Sequence, residues 1–192
     1  MPRPRKEDAQ ETRALALEAA HDLLHQHGYL GVSMDAVAQA IGVRKASLYH
    51  HFPEGKEQLV REIADLANAQ DGEGIRRALE AGADIRAQLL AVARYVVGMR
   101  RQNSVMLRDA LRHMAETHQQ GIYRDFHTGQ HQPLHAALEA AVARGELRAH
   151  DTERSTWAFL GLLSELNPRD DEPSGEALAQ FIVGLVLDGL AA

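Results

Sequence analysis

The chain of 192 residues contains no cysteine. Disulfide bonds, thiolate nucleophiles and cysteine-based metal clusters are therefore excluded. Charges or glycines interrupt every apolar run well before the roughly 18 residues that a transmembrane helix needs, and no signal peptide is recognisable. We expect a cytoplasmic protein that does not contact a membrane.

Strand patterns and the common catalytic motifs are also missing from the sequence. No segment alternates apolar and polar residues as a half-buried strand does, and the periodic segments have helical spacing. There is no phosphate-cradling glycine loop after a strand, no His-Glu-x-x-His segment and no nucleophile elbow. The sequence therefore predicts an all-α protein that is not an enzyme and needs no cofactor.

The charge balance excludes one class of nucleic-acid-binding protein. The formal net charge is -6, and residues 1–60 contain seven lysines and arginines against eight acidic residues. A protein that coats DNA without sequence preference neutralises many phosphates and needs a large excess of cations. A DNA-binding function would instead require a few cations placed at specific positions.

Residues 33–52 have the pattern of two short helices joined by a tight turn. Ser33 is a favoured N-cap, and Gly42 suits the left-handed conformation that often ends a helix. The pattern predicts a second helix over Lys45–Phe52, in which Leu48 and Phe52 lie four residues apart and face inward. This arrangement is a helix-turn-helix.

The outer face of the second helix carries side chains suited to DNA. Lys45, Ala46, Ser47, Tyr49 and His50 fall on that face, opposite Leu48 and Phe52. A helix in the major groove needs side chains that reach base edges, flanked by hydroxyl, imidazole and ammonium donors to phosphates. Every one of these chemical types is present.

Residues 40–59, AIGVRKASLYHHFPEGKEQL, resemble the DNA-binding signature of TetR-family transcriptional repressors. The resemblance extends upstream through Ala19, Ala20, Leu23, Leu24, Gly28 and Tyr29. It implies a three-helix DNA-binding head over residues 1–54 and a helical effector-binding and dimerisation body over residues 55–192. It further implies a homodimer that binds a palindromic double-stranded DNA operator as a repressor, and that a small-molecule effector releases.

The same resemblance implies roles for individual residues of the head. Lys45 and Ala46 would face bases, and Ser33 and Met34 would touch the DNA backbone. The residues expected at or beside phosphates are Arg44, Ser47, Tyr49, His50, His51 and Lys56. Alternatives remain, because Tyr49 could be a core aromatic residue and the two histidines could be a solvated surface pair.

The body offers an effector pocket and a dimer interface by the same resemblance. The candidate pocket residues are Tyr95, Met99, Met106, Met114, Tyr123, Phe126 and Trp157. Methionine suits varied apolar ligands, and core packing is the alternative role for each of these residues. The candidate interface residues are Leu160, Leu163, Phe181 and Leu185, with burial inside one chain as the alternative.

Helical periodicity predicts the remaining organisation of the chain. Helices are expected over Glu7–His27, from Gly55 toward Glu80, and over Ile85–Arg101, Val105–Thr117, His118–Arg144, Asp151–Leu166 and Gly175–Leu190. Gly72 and Gly74 predict either a bend or a break in the long helix after Gly55. Pro133 should kink or split the helix that contains it.

A histidine series in the body suggests a different function. His127, His131 and His135 recur every four residues, and imidazoles at this spacing on a helix can share Zn²⁺ or Ni²⁺. Pro133 interrupts that geometry, and polar neighbours favour an exposed helix face. A metal-responsive regulator is thus the alternative to one controlled by an organic effector.

Overall fold

The computed structural model describes residues 6–99, 109–166 and 175–188. These residues form helices and their connections, with no strand among them, which confirms the all-α prediction. The first five helices are α1 (Lys6–Gly31), α2 (Met34–Ala40), α3 (Lys45–His51), α4 (Lys56–Ala81) and α5 (Ile85–Met99). There follow α6 (Glu116–Phe126), a π-helical turn (His127–His131), α7 (Gln132–Ala143), α8 (Thr152–Glu165) and α9 (Glu176–Asp188).

The described residues form two compact units. The first unit contains residues 6–67 and 109–122, and the second contains residues 68–99, 123–166 and 175–188. The first part of α4 thus packs with the N-terminal helices. In the described part of the chain, no helix is both long enough and apolar enough to span a membrane.

Helix α1 contributes a stripe of small and apolar side chains to the core of the first unit. Ala16, Ala20 and Leu24 are buried at intervals of four residues. Leu15 is 45% exposed, because it lies about 100° around the helix from the buried Ala16. Gly28 interrupts the helix with a φ of 65°, at the position where the sequence predicted its end.

Helix α4 runs continuously from Lys56 to Ala81, so of the two alternatives predicted at its glycines the break is wrong, whereas the bend stays a prediction. Both glycines instead lie where another group approaches the helix backbone. A Cβ at Gly72 would lie 2.9 Å from the carbonyl oxygen of Gly129, and one at Gly74 would overlap the ring of Tyr95. The lack of a side chain therefore allows close packing.

The predicted helix over Val105–Thr117 does not continue to its predicted end. Residues 109–111 are helical, and residues 112–115 form a turn and a bend before α6 begins at Glu116. His113 N–H donates to the carbonyl of Ala110 and Met114 N–H to that of Leu111, which tightens the chain out of α-helical geometry. The expected residues 105–108 lie outside the described ranges.

Pro133 divides the predicted helix over His118–Arg144 into α6 and α7, as expected. Proline has no N–H and cannot donate to the preceding turn. The chain adapts with the π-helical turn, in which Gln132 N–H donates to the carbonyl of His127, and Pro133 then lies in the first turn of α7. π-Helical turns of this kind are frequent at functional sites.

The second unit has its own apolar core. Its largest fully buried side chains come from α4, α5, α7, α8 and α9 and include Ile75, Leu89, Leu134, Leu138, Phe159, Leu163 and Ile182. Asp151 caps α8 by accepting from the N–H of Arg154 at 3.0 Å.

Candidate nucleic-acid interface

The turn between α2 and α3 is defined by its two ends. At the start of α2, Ser33 Oγ accepts from the N–H of Ala36 at 3.1 Å, as an N-cap should. At its end, Gly42 has a φ of 70°, and Val43 N–H donates to the carbonyl of Ala38 at 3.0 Å. This is the Schellman arrangement, which only glycine enters without strain. The predicted helix-turn-helix is present.

Helix α3 is anchored by the two side chains that the sequence pattern turned inward. Leu48 and Phe52 are both fully buried. The Arg13 guanidinium lies 5.3 Å from the centre of the Phe52 ring, on the side of α1. Arg44 is the N-cap residue of α3 but its side chain makes no capping bond, so the packing of Leu48 and Phe52 positions this helix.

Five of the first six residues of α3 are exposed. Lys45, Ala46, Ser47, Tyr49 and His50 are all exposed, and so is Arg44 just before them. Their roles toward DNA remain predictions, but none of them is buried in the core of the first unit. For Tyr49, which is 43% exposed, this placement does not fit the core alternative.

Lys45 has a partner within the helix-turn-helix. Its Nζ donates to Asp35 Oδ2 of α2 at 2.6 Å, and both side chains are largely exposed. The hydrogen bond to Asp35 and the charge of that carboxylate raise the pKa of Lys45. The cation predicted to face bases is therefore paired with a carboxylate of α2.

Two predicted phosphate contacts, Lys56 and Tyr49, pack against residues at the ends of the helix-turn-helix. Lys56 contacts Tyr29, which precedes the motif, and Tyr49 contacts Gly55, which follows it. Lys56 Nζ donates to the Tyr29 carbonyl and lies 3.8 Å above the Tyr29 ring centre. Partial burial lowers the pKa of Lys56. The Tyr49 ring covers Gly55, where a Cβ would lie 3.4 Å from Tyr49 Cε1. The predicted phosphate contact of Lys56 would require it to share or leave the Tyr29 carbonyl.

Two other predicted contacts are restricted by burial. Partial burial, followed by the charges of His50 and Arg13, lowers the pKa of His51, which favours a neutral imidazole near pH 7. The Met34 side chain is buried in the first core, so only its backbone is available to DNA. Ser33 remains exposed beside it.

Residues 109–118 contact the end of α1 and the start of α4, although they are distant from both in sequence. Asp109 Oδ2 accepts from Tyr29 N–H at 2.9 Å, and the His113 ring stacks on Tyr29 at 5.6 Å. His118 Nδ1 lies 2.8 Å from Glu57 at the start of α4. Periodicity alone gave no signal for these contacts, because they join segments about 60 to 80 residues apart.

The predicted effector residues are distributed over both units. In the second unit, Tyr123 and Phe126 stack on Trp157 with ring centres 6.0 and 6.1 Å apart, and Tyr95 Oη donates to the Gln70 carbonyl. Met114 is buried in the core of the first unit. The side chain of Met99 and all of Met106 lie outside what the structure describes.

The predicted dimer residues have two different environments. Leu160 and Leu163 are buried in the core of their own chain. Phe181 and Leu185, four residues apart on α9, are 58% and 55% exposed. Only the α9 pair is free to meet a partner in this conformation.

The histidine series forms a cluster with a glutamate that the sequence did not indicate. The stacked rings of His127 and His131 have centres 4.7 Å apart, and Glu153 Oε1 of α8 lies 3.4 Å from His131 Nε2. His135 Nε2 instead pairs with Thr152 Oγ1 at 3.0 Å. Burial lowers the pKa of His131, which Glu153 opposes.

Comparison with known proteins gives a consistent set of relatives. Residues 16–63 match the family described as "Bacterial regulatory proteins, tetR family". The probable HTH-type transcriptional regulator ArpR of Pseudomonas putida is 30% identical over 183 residues, which cover 86% of this chain and 83% of ArpR.

Two solved structures extend the comparison to the whole fold. PfmR, a TetR-family regulator of Thermus thermophilus, is 29% identical with a TM-score of 0.75, over 92% of this chain and 99% of its own. AibR, solved in complex with isovaleryl coenzyme A and operator DNA, is 23% identical with a TM-score of 0.73, over 91% of this chain and 97% of its own. The AibR likeness concerns the fold alone.

Proposed function

Because the chain belongs to the TetR family of DNA-binding transcriptional regulators, we propose that it is a homodimeric repressor, released from a palindromic operator by a small-molecule effector. Residues 1–54 would bind DNA, and residues 55–192 would bind the effector and the second subunit.

The exposed face of α3 carries this proposal. Leu48 and Phe52 hold the opposite face in the core, so the side chains beside them can enter a major groove without loss of core packing. Lys45 is long enough to reach a base edge, whereas the hydroxyls of Ser47 and Tyr49 suit phosphates. Ala46 is small enough to allow close approach of the helix to the bases.

The exposed apolar side chains of α9 support the homodimer. Phe181 and Leu185 lie on one face of that helix. On α8, Ala158 and Gly161 are exposed and small, which would allow a partner helix to approach closely. Two copies paired through these helices would present two recognition helices to a palindrome, as two-fold symmetry requires.

The aromatic cluster of Tyr123, Phe126 and Trp157 is the proposed contact point for the effector in the second unit. Stacked rings offer apolar surface, and the exposed ring of Tyr123 makes the cluster accessible. AibR was crystallised with isovaleryl coenzyme A, so short-chain acyl thioesters are the first compounds to test.

Release requires that the effector bind two states of the dimer with different affinity. An effector that favours the state with wrongly spaced recognition helices lowers operator affinity by at most the ratio of its affinities for the two states. A ligand with demonstrated binding to the body and no effect on operator affinity would contradict this mechanism.

The proposal is tested by selecting genomic DNA fragments that the full-length protein retains, including the region next to its own gene. We expect one enriched palindromic motif, bound by two chains. Enrichment without a shared motif, or absence of enrichment in the presence and absence of candidate effectors, would contradict a sequence-specific repressor.

Variants of the exposed face then assign the contacts. If Lys45 contacts a base, Lys45→Ala should relax specificity at one position of each half-site and cost roughly 1–3 kcal/mol of binding free energy. If Tyr49 contacts a phosphate, Tyr49→Ala should weaken all sites nearly equally. Arg154→Ala is a matched control, because this exposed cation lies on α8 in the second unit and should leave operator affinity unchanged.

A further inference from the structure

A cluster of two imidazoles and a carboxylate in the second unit has no part in DNA binding. His127 and His131 come from the π-helical turn, and Glu153 comes from the first turn of α8. One potential ligand atom from each residue lies within 4.8 Å of those of the other two. The π-helical turn before Pro133 brings the histidines to this position.

His131 is the residue of the cluster that most needs an explanation. Its side chain is 2% exposed, and neither ring nitrogen has a hydrogen-bond partner in the described part of the chain. Buried polar atoms nearly always have a partner, because an unsatisfied one destabilises the folded protein. Glu153 Oε1, 3.4 Å from Nε2, is close without forming a hydrogen bond.

The geometry points to a binding site for a divalent transition metal, with His127, His131 and Glu153 as protein ligands. A tetrahedral Zn²⁺ with bonds of about 2.1 Å separates its ligand atoms by roughly 3.4 Å. The His131–Glu153 distance already has this value. Two histidines and one carboxylate leave a fourth position for water or another ligand.

Neighbouring side chains orient the carboxylate, as outer-shell partners of metal ligands commonly do. Trp157 Nε1 donates to Glu153 Oε1 at 2.9 Å, and His135 Nε2 lies 3.8 Å from Glu153 Oε2. His135 thus hydrogen-bonds to Thr152 and lies beside Glu153 without being a proposed ligand. The proposed ligands are therefore not the three histidines of the sequence series.

Binding requires one local rearrangement. The rings of His127 and His131 are nearly parallel, at an angle of 15°. Because the lone pair of each ring nitrogen lies in its ring plane, the two rings cannot both bind one ion unless one of them rotates. His131 is confined by burial, whereas His127 is partly exposed and can turn. Metal binding should therefore disrupt the stacking of His127.

Trp157 provides a direct readout of the site. It is the only tryptophan in the chain, and its ring centre lies 4.4 Å from that of His131. Co²⁺ and Ni²⁺ quench nearby indole fluorescence, and Zn²⁺ competes for the same ligands. The experiment titrates Co²⁺ into untagged, chelator-treated full-length protein and then displaces it with Zn²⁺.

We expect saturable quenching at one Co²⁺ per chain, reversed by Zn²⁺. Glu153→Gln should weaken Co²⁺ binding at least about tenfold while its side-chain oxygen can still accept from Trp157. His127→Gln should have a similar effect. The control is His25→Gln, an exposed histidine of α1 in the first unit, which should change neither affinity nor stoichiometry.

His135→Gln distinguishes the two possible ligand sets. It should weaken binding less than Glu153→Gln, because His135 is outside the proposed ligand set. Non-saturable quenching, or Co²⁺ affinity unchanged in folded His127→Gln and Glu153→Gln proteins, would overturn the site. Loss with His135→Gln and retention with Glu153→Gln would also overturn the proposed ligands. Circular dichroism of each variant establishes that it is folded.

Discussion

Gly72→Ala provides a direct test of close packing against α4. In an ordinary helix interior, replacing glycine by alanine stabilises a protein by about 1 kcal/mol. At Gly72 the new Cβ would lie 2.9 Å from the Gly129 carbonyl oxygen and 3.1 Å from Gly129 Cα. These are backbone atoms, which cannot move aside as the end of a flexible side chain can.

The two effects at Gly72 have opposite signs, and their magnitudes decide the outcome. Overpacking a well-packed site costs about 1–3 kcal/mol. After subtraction of the helix gain, we expect Gly72→Ala to lower the free energy of unfolding by about 0–2 kcal/mol. Replacement of an unstrained helical glycine by alanine should instead raise the free energy of unfolding by the full helix-propensity difference.

The chain supplies two controls for this measurement. Gly129→Ala changes the other side of the same contact, but its Cβ would meet atoms no closer than 3.5 Å. Gly121→Ala lies inside α6, and apart from the backbone of its own helix and its two neighbouring residues no described atom lies within 4 Å of the new Cβ. Urea unfolding followed by circular dichroism and Trp157 fluorescence compares the three variants. If Gly72→Ala stabilises the protein as much as Gly121→Ala, the close approach is refuted.

Two further predictions concern the second unit. If α9 forms the dimer interface, Leu185→Glu should weaken dimerisation at least about tenfold, because an unpaired charge would be buried. Light scattering at micromolar concentration measures the dimer. The control is Leu66→Glu, at a similarly exposed leucine of α4, which should leave the dimer intact. Burial raises the pKa of Asp71, so its protonated carboxyl group contributes stability at low pH that is lost as the pH rises through that pKa. Asp71→Asn should therefore raise the urea midpoint at pH 7, with a difference that shrinks toward pH 4; a difference independent of pH would contradict this reasoning.

The elements that the sequence predicted well are those with strong local signals. Ser33 and Gly42 are a cap and a left-handed helix end, and Leu48 and Phe52 are an inward pair with helical spacing. Pro133 likewise has a local effect, because its missing N–H removes one hydrogen bond in the turn that contains it. In these cases the chemistry of one or two residues was sufficient.

The failures concern contacts that no local pattern encodes. Gly72 was interpreted by helix propensity, whereas its role depends on the approach of Gly129, 57 positions later. The histidine series grouped His135 with His127 and His131, but it gave no sign of the Glu153 carboxylate, which lies near those two rings and comes from a different helix. Tertiary packing determines both, and a single sequence does not reveal which distant segments meet.

The pairing of Lys45 with Asp35 affects how the protein would search for its operator. The Asp35 carboxylate acts as an internal substitute for phosphate, and if Lys45 contacts DNA as predicted, its ammonium group must first leave that carboxylate. Arbitrary DNA offers little more than another anion, so the exchange gains little free energy there. A correct base in the groove offers additional contacts and shifts the exchange toward DNA. Asp35 thus adds a similar cost at every site where Lys45 would contact DNA, and only sites that offer additional contacts compensate for it, so at low protein concentration the right site stays bound.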